Sequence, residues 1–261
     1  MDLKIDSTIK LNNGTCMPRL GLGVYQIPEG KETIDAVSLA LIMGYRHIDT
    51  AKFYRNETSV GKAVKASGVP RDKIWVTTKL WPTNFLDVER AFETSLKKLG
   101  LDYIDLYLVH FPIPGANKRI WKKMEAIYKA GRVKAIGVSN YNAKFLRDTL
   151  DIATIAPSVN QMRCSVFGYN KELYELCQSQ GIVFEAYSPL TQGKRLNDIE
   201  VVKVAKRNNK SSAQIMLRWA LQKNMVVIPK SKHRERLAEN ADIFDFEISK
   251  EDMFDLDKLS E

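Results

Sequence analysis

The sequence predicts an α/β chain folded as a (β/α)8 TIM barrel entered by an N-terminal β-hairpin, and three observations carry that prediction. Glycine or asparagine recurs just before an apolar, strand-like run, each such stop follows residues at helical spacing, and three successive runs end in titratable side chains. The stops are Gly44, Gly68, Gly100, Gly131, Gly181 and Asn224, spaced 24 to 50 residues apart. Each reads as the left-handed residue that closes a helix.

In chain order, TIKLNNGTCMPRLG forms a hairpin around Asn12, Asn13 and Gly14. The first barrel strand is LGLG at 20–23 and the second lies in YRHIDT after Gly44. The third ends VPRDKIWVTTK at Lys79, and the fourth ends LDYIDLYLVH at His110. RVKAIGVSN holds the fifth, PSVNQ at 157–161 the sixth, IVFEAYSPL the seventh and MVVIPKS the eighth. Between them run helical spacings such as Val88, Phe92, Leu96 and Leu99. Eight strands alternating with helices in about 250 residues fit one closed parallel barrel, so a single domain over 1–261 is expected. A doubly wound open sheet is the competing architecture, but Gly21-Leu-Gly23-Val-Tyr-Gln26 lacks the third glycine of its dinucleotide fingerprint.

Composition limits the function classes. With 261 residues, 44% hydrophobic and 27% charged, the chain can bury a core without disulfides or metal. Cys16, Cys164 and Cys177 are odd in number and lack zinc spacing, which suits reduced thiols in a cytoplasmic protein. No run approaches 18 uncharged apolar residues and MDLKIDSTIK is no signal peptide, so neither export nor a membrane is expected. The net charge of +9 comes from 40 basic residues, most of them scattered on presumptive outer helix faces, as at Lys97, Lys98, Lys122 and Lys123. Nucleic acid would want a basic stripe with interleaved aromatics, and none is present. The dense run from Lys230 to Arg236 instead follows a strand and opens a helix, a place suited to a small phosphate. A phosphorylated cofactor is expected there, drawn in by the excess positive charge.

The strand ends carry the chemistry. Asp49, Tyr54, Lys79 and His110 fall at the C-terminal rim after strands two, three and four, where sites in this fold lie. Singly they read as a loop acid, a half-buried aromatic, a rim charge and a core histidine. Together they make a proton-donating site. His47 lies two residues before Asp49 on the same strand face, but deeper, and is structural. His233 is a surface residue or lies near the cofactor.

Several segments, in order, resemble the aldo-keto reductases over nearly the whole chain. GYRHIDTAKFYRNETSVG is similar to the family's Asp and Tyr signature, TTKLW to its Lys segment and LDYIDLYLVHFP to its His segment. GRVKAIGVSN, VNQ, AYSPL and IPKSKHRERLAEN match its cofactor-binding segments. The opening hairpin resembles the family's plug across the barrel floor. The resemblance implies hydride transfer from NADPH to a small aldehyde or ketone, with Tyr54 as proton donor. A charged Lys79 beside Tyr54, held by Asp49, would supply the positive charge that stabilises a phenolate; lowering the phenol pKa by about two units requires roughly 2.7 kcal/mol, within reach of one desolvated ammonium. His110 orients the carbonyl.

By the same resemblance Ser139, Asn140 and Gln161 hold the nicotinamide carboxamide and Tyr187 stacks on the ring, although core packing is an equal reading of that tyrosine. Ser188 and Leu190 line the pyrophosphate, Lys230, Ser231 and Arg236 clamp the 2′-phosphate, and Glu239 and Asn240 meet adenine. The substrate walls are Tyr25, Phe53, Trp81 and Phe111. No metal is implied, and members of this compact type are often monomers, so a monomer is expected. An NADPH-binding sensor with little turnover is the alternative function, and a phosphate-binding isomerase a weaker one.

Departures from the family pattern concern substrate. Met162-Arg163-Cys164-Ser165 stands where many members have a Glu before His-Pro, and Arg163 either faces an acidic substrate or is solvated. Val24-Tyr25 replaces Thr-Trp, and Phe111 replaces Trp. The sequence ends just after EDMFDLDKLSE without the family's long C-terminal loop, and the loop after AYSPL reaches a helix near Leu196. An open site tolerant of small aldehydes is expected.

Overall fold

A computed structural model describes residues 3–260; the first two residues and Glu261, at the ends of the expected domain, lie outside the described residues. β1 (Thr8–Lys10) and β2 (Cys16–Pro18) pair antiparallel with Ile9 opposite Met17. Eight parallel strands follow: β3 (Leu22–Gly23), β4 (His47–Asp49), β5 (Trp75–Leu80), β6 (Ile104–Val109), β7 (Val133–Ser139), β8 (Val159–Arg163), β9 (Val183–Tyr187) and β10 (Val226–Ile228). They neighbour one another in chain order. The first and last meet through a parallel bridge from Leu20 to Val227, where Gly21 N–H donates to the Val227 carbonyl at 2.9 Å. All eight strands of the sequence reading are present, and its six stops all take the left-handed conformation, with φ from 60° to 95°.

Amphipathic helices join the strands on the outside. α1 (Lys31–Ile42), α2 (Glu57–Ala66), α3 (Val88–Leu99), α4 (Asn117–Lys129), α5 (Ala143–Leu150) and α6 (Lys171–Ser179) each fill one crossover. α3 shows why such a segment is helical. Asp87 caps it by accepting from Arg90 N–H, Val88, Phe92, Leu96 and Leu99 form its buried stripe, and Gly100 ends it. Between β9 and β10 lie α7 (Ile199–Arg207) and α8 (Ser212–Gln222), followed after β10 by α9 (Arg234–Ala241) and α10 (Lys250–Asp257). α8 opens on a reciprocal capping box between Ser211 and Gln214. The helix expected near Leu196 starts at Ile199, because Thr191 and Gln192 hold left-handed φ in a turn and Asp198 supplies the cap.

Strand alternation divides the buried side chains between two cores. Ile48, Val76, Tyr107, Ile136, Phe184 and Val227 face the helices. Trp75, Leu106, Leu108, Ala135, Val159, Val183 and Val226 face inward at the lower end, where Ile9, Leu11 and Met17 of the hairpin pack against them. The hairpin therefore seals an apolar floor. Above that floor the interior turns polar, with His47, Thr77 and Glu185 all fully buried. His47 donates to or accepts from Thr77 Oγ1 at 3.1 Å, deeper than the strand tips, in agreement with a structural role.

Packing at the barrel seam admits only glycine at position 21. A Cβ there would lie 2.6 Å from His47 Nδ1 and 2.9 Å from the Ile228 side chain. Gly21→Ala is expected to lower stability by about 1–3 kcal/mol through overpacking, measured by urea unfolding. A neutral result would mean that His47 has room to move.

Candidate active site

The register of β4 against β5 builds the centre of the site. Asp49 is the partner of Thr77, so Lys79, two residues further along the inward face, rises beside the Asp49 carboxylate. Lys79 Nζ donates to Asp49 Oδ1 at 2.7 Å, Asp49 Oδ2 at 2.8 Å, the Thr50 carbonyl at 2.9 Å and Tyr54 Oη at 3.2 Å. The lysine is wholly buried. Burial alone would strip its proton, but the Asp49 charge and the phenol of Tyr54 outweigh that and hold the amine above the ordinary lysine range.

Tyr54 ends a short 3-10 turn, Lys52–Tyr54, beyond β4. Asn56 fixes this turn to the loop after β3: it accepts from Thr50 Oγ1 at 2.7 Å and donates to the carbonyls of Val24 and Ile27 at 2.9 Å each. That clasp sets Tyr25 4.9 Å from the Tyr54 ring. His110 follows β6 directly, with its ring 5.8 Å from Tyr54 and edge-on to it. Trp81 stacks on Phe53 at 4.1 Å and meets His110 edge-on at 5.2 Å, and Phe111 stacks on His110 at 5.1 Å. The four expected wall aromatics are thus together around the phenol and the imidazole.

Electrostatics correct one expectation. Burial pushes the Tyr54 phenol up to about 12, against the pull of Lys79. A net lowering does not occur, because removal of the phenol from water outweighs the Lys79 charge and the Asp49 charge adds to the rise. Burial first, and the Lys79 charge second, press His110 down to about 2, so its imidazole is neutral. Its Nδ1 is buried without a partner among the described residues.

A cavity of about 980 Å³ opens over these groups and runs along the rim. Its lining includes Tyr54, His110, Tyr25, Phe53 and Phe111, and also Lys230, Arg236, Glu239 and Asn240. Asp49, Ser139, Asn140, Gln161, Tyr187, Ser188 and Leu190 line it as well. Three expected residues are off it. Lys79 lies behind Tyr54 and Trp81 behind Phe53, while Ser231 is buried and accepts from His233 N–H at 3.1 Å. Arg163 lines the cavity and is exposed, with no ion pair among the described residues. His233 is exposed at the start of α9.

Hydrogen bonds set the middle of this cavity. Asn140 donates to the His110 carbonyl at 2.9 Å and to Ser139 Oγ at 3.1 Å, while its own Oδ1 accepts from Tyr187 Oη at 2.8 Å. Asn140 and Ser188 hold left-handed φ of 62° and 50°, a cost paid at this rim. Gln161 donates to both Asp49 and Glu185. Sequence reasoning missed Asn56 and Glu185. For Glu185 a signal existed, an acid two residues before Tyr187 on the same strand face of FEAY; the role of Asn56 depends on loops distant in sequence.

Lys230 and Arg236 are exposed and without ion pairs among the described residues, whereas neighbouring Lys232 is paired with Glu32. Lys79→Met is expected to cost about 3–5 kcal/mol in urea unfolding, because it strands the buried Asp49 carboxylate. The double variant Asp49→Asn/Lys79→Met should recover much of that loss, and an additive double variant would show that the pair is not the source.

Known proteins resemble this chain in sequence and fold. The Aldo/keto reductase family model matches residues 19–261. The chain is 45% identical over 267 residues to the uncharacterized oxidoreductase YtbE of Bacillus subtilis, covering all of this chain and 95% of that one. It is also 45% identical over 262 residues to the glyoxal reductase of the same organism, with the same coverage. The crystal structure of an aldo/keto reductase from Brucella melitensis superposes with a TM-score of 0.95 at 42% identity, covering 99% of both chains. A family match over residues 19–261, 45% identity to relatives along the whole chain and a barrel that superposes on a solved member place the chain in the aldo/keto reductase family.

Proposed function

We propose that this oxidoreductase reduces small aldehydes and ketones to alcohols with NADPH, Tyr54 giving the proton. The observation that carries this reading is the Tyr54 hydroxyl 3.2 Å from a buried, charged Lys79, in a cavity also lined by Lys230 and Arg236, which have no ion pair among the described residues. The relative named glyoxal reductase supports a small dicarbonyl as substrate.

When bound, NADPH supplies the hydride. The chain's own residues do the rest. His110 donates from Nε2 to the carbonyl oxygen and polarises it, and its neutrality lets it do so without losing a proton. As charge gathers on that oxygen, Tyr54 passes its proton across, and Lys79 stabilises the phenolate left behind. Asp49 keeps Lys79 charged and aimed. The high phenol pKa in the free protein keeps Tyr54 protonated throughout the physiological range, ready to give. Phe53, Trp81, Phe111 and Tyr25 present apolar walls that exclude water from the carbonyl. Asn140 and Gln161 offer amide groups to the carboxamide, the Tyr187 ring gives a flat face to the nicotinamide, and Ser188 and Leu190 follow the pyrophosphate. Lys230 and Arg236 meet the 2′-phosphate, with Glu239 and Asn240 at the adenine. Charge-covered outer helices and two buried thiols, Cys164 and Cys177, support a monomer in the cytoplasm. No helix among the described residues is long and apolar enough to cross a membrane.

Loss of NADPH absorbance with methylglyoxal tests the reading. Tyr54→Phe should lower kcat by about 10²- to 10⁴-fold while NADPH binding survives; equal turnover in the variant would remove Tyr54 as donor. NADPH binding without turnover in the wild type would favour the sensor. The pH profile of kcat/KM should show no step near 6.5, since His110 is held neutral down to about 2; a step there would make the histidine the acid. Lys230→Ala and Arg236→Ala should each weaken NADPH by roughly 1.5–3 kcal/mol in titration while leaving NADH little changed.

A further inference from the structure

One level below Asp49 and Lys79, the barrel holds a second carboxyl that this reaction leaves unused. Glu185 on β9 is fully buried, and its register partner on β8 is Gln161. Gln161 Nε2 donates to Glu185 Oε2 at 2.9 Å and to Asp49 Oδ2 at 2.8 Å. Both Asp49 oxygens also accept from Lys79, so Asp49 is a carboxylate with nothing to donate. That fixes the Gln161 amide with its NH2 toward the two acids. Both amide hydrogens are used, and the amide oxygen is left for the cavity that Gln161 lines.

The polar groups facing Glu185 are few. From β4 come His47, whose Nε2 lies 3.6 Å from Glu185 Oε1, and Asp49; from β5 comes Lys79 and from β8 Gln161. β10 opposes it in register with Val226, and β6 and β7 turn Leu106, Leu108 and Ala135 inward. Glu185 Oε1 has no hydrogen-bond partner among the described residues. Burial first, then the charge of Asp49, pushes the Glu185 carboxyl up to about 8. Burial also presses His47 down to about 3, so that imidazole brings no compensating charge.

We propose that Glu185 is a positioning residue for carbonyl reduction: it holds Gln161 so that its amide oxygen meets the N–H of a nicotinamide carboxamide, and its own charge sets how readily Tyr54 gives its proton. The proposal rests on the NADPH reading above. With Glu185 neutral, Asp49 is the only negative charge beside Lys79 among the described residues. Ionised Glu185 adds a second, which opposes a phenolate at Tyr54 and weakens the donor as the pH rises past about 8.

The test compares wild type, Glu185→Gln and Glu185→Leu by the pH profile of kcat/KM for methylglyoxal and by NADPH titration of protein fluorescence. Wild-type kcat/KM should fall by about three- to tenfold between roughly pH 7 and 9. Glu185→Gln keeps an acceptor for Gln161 but cannot ionise, so it should lose this alkaline limb. Glu185→Leu removes the acceptor and should bind NADPH about tenfold more weakly. An unchanged limb in Glu185→Gln, or wild-type NADPH affinity in Glu185→Leu, overturns the proposal; if Glu185→Leu does not fold, the limb in Glu185→Gln decides alone. Absence of NADPH binding to the wild-type protein overturns the reductase reading together with this one, whereas normal wild-type binding beside unaltered variants overturns this one only.

Discussion

A single buried ammonium organises the upper half of this barrel. Lys79 is out of contact with water, and an isolated charge in such a place is lost to deprotonation. It persists because β4 and β5 bring a carboxylate, a backbone carbonyl and a phenol to its three hydrogens. Such a pair is a poor source of net stability, since desolvation of both ions offsets their attraction. Its value is positional. Removing either partner leaves the other uncompensated, so Tyr54, Asp49 and, through Asp49, Gln161 are held as one unit.

Rigidity at this unit comes from closed hydrogen-bond accounts around it. Asn140 has committed both amide hydrogens and accepts from Tyr187, and Gln161 has committed both of its own. Amides satisfied in this way cannot flip without breaking two bonds, so the acceptors they turn toward the cavity are preset before any ligand arrives. Asn56 extends the same constraint to the loops, because one side chain ties the turn of Tyr54 to the segment carrying Tyr25.

Much of the fold was legible because its punctuation is local. Gly44 through Asn224 each had to be left-handed, and any residue with a Cβ other than asparagine is strained there, so six helix ends could be read from single letters. The rim residues were legible because a titratable side chain ending an apolar run is conspicuous. Glu185 was not recognised, since nothing within VFEAY says that Asp49 and Gln161 lie beside it; that fact belongs to strand register across the closed barrel. The direction of the Tyr54 shift escaped for a related reason. A neighbouring cation can be inferred from sequence, but the amount of water removed from the phenol cannot.

The hairpin gives the site an asymmetry of supply. Ile9, Leu11 and Met17 close the lower end against an inward ring of leucine, valine, alanine and tryptophan. Water kept from below by that floor would reach the polar layer around Lys79 from the rim. Under the proposed function, a Tyr54 that has given its proton would be reloaded through the mouth that also admits carbonyl and releases alcohol.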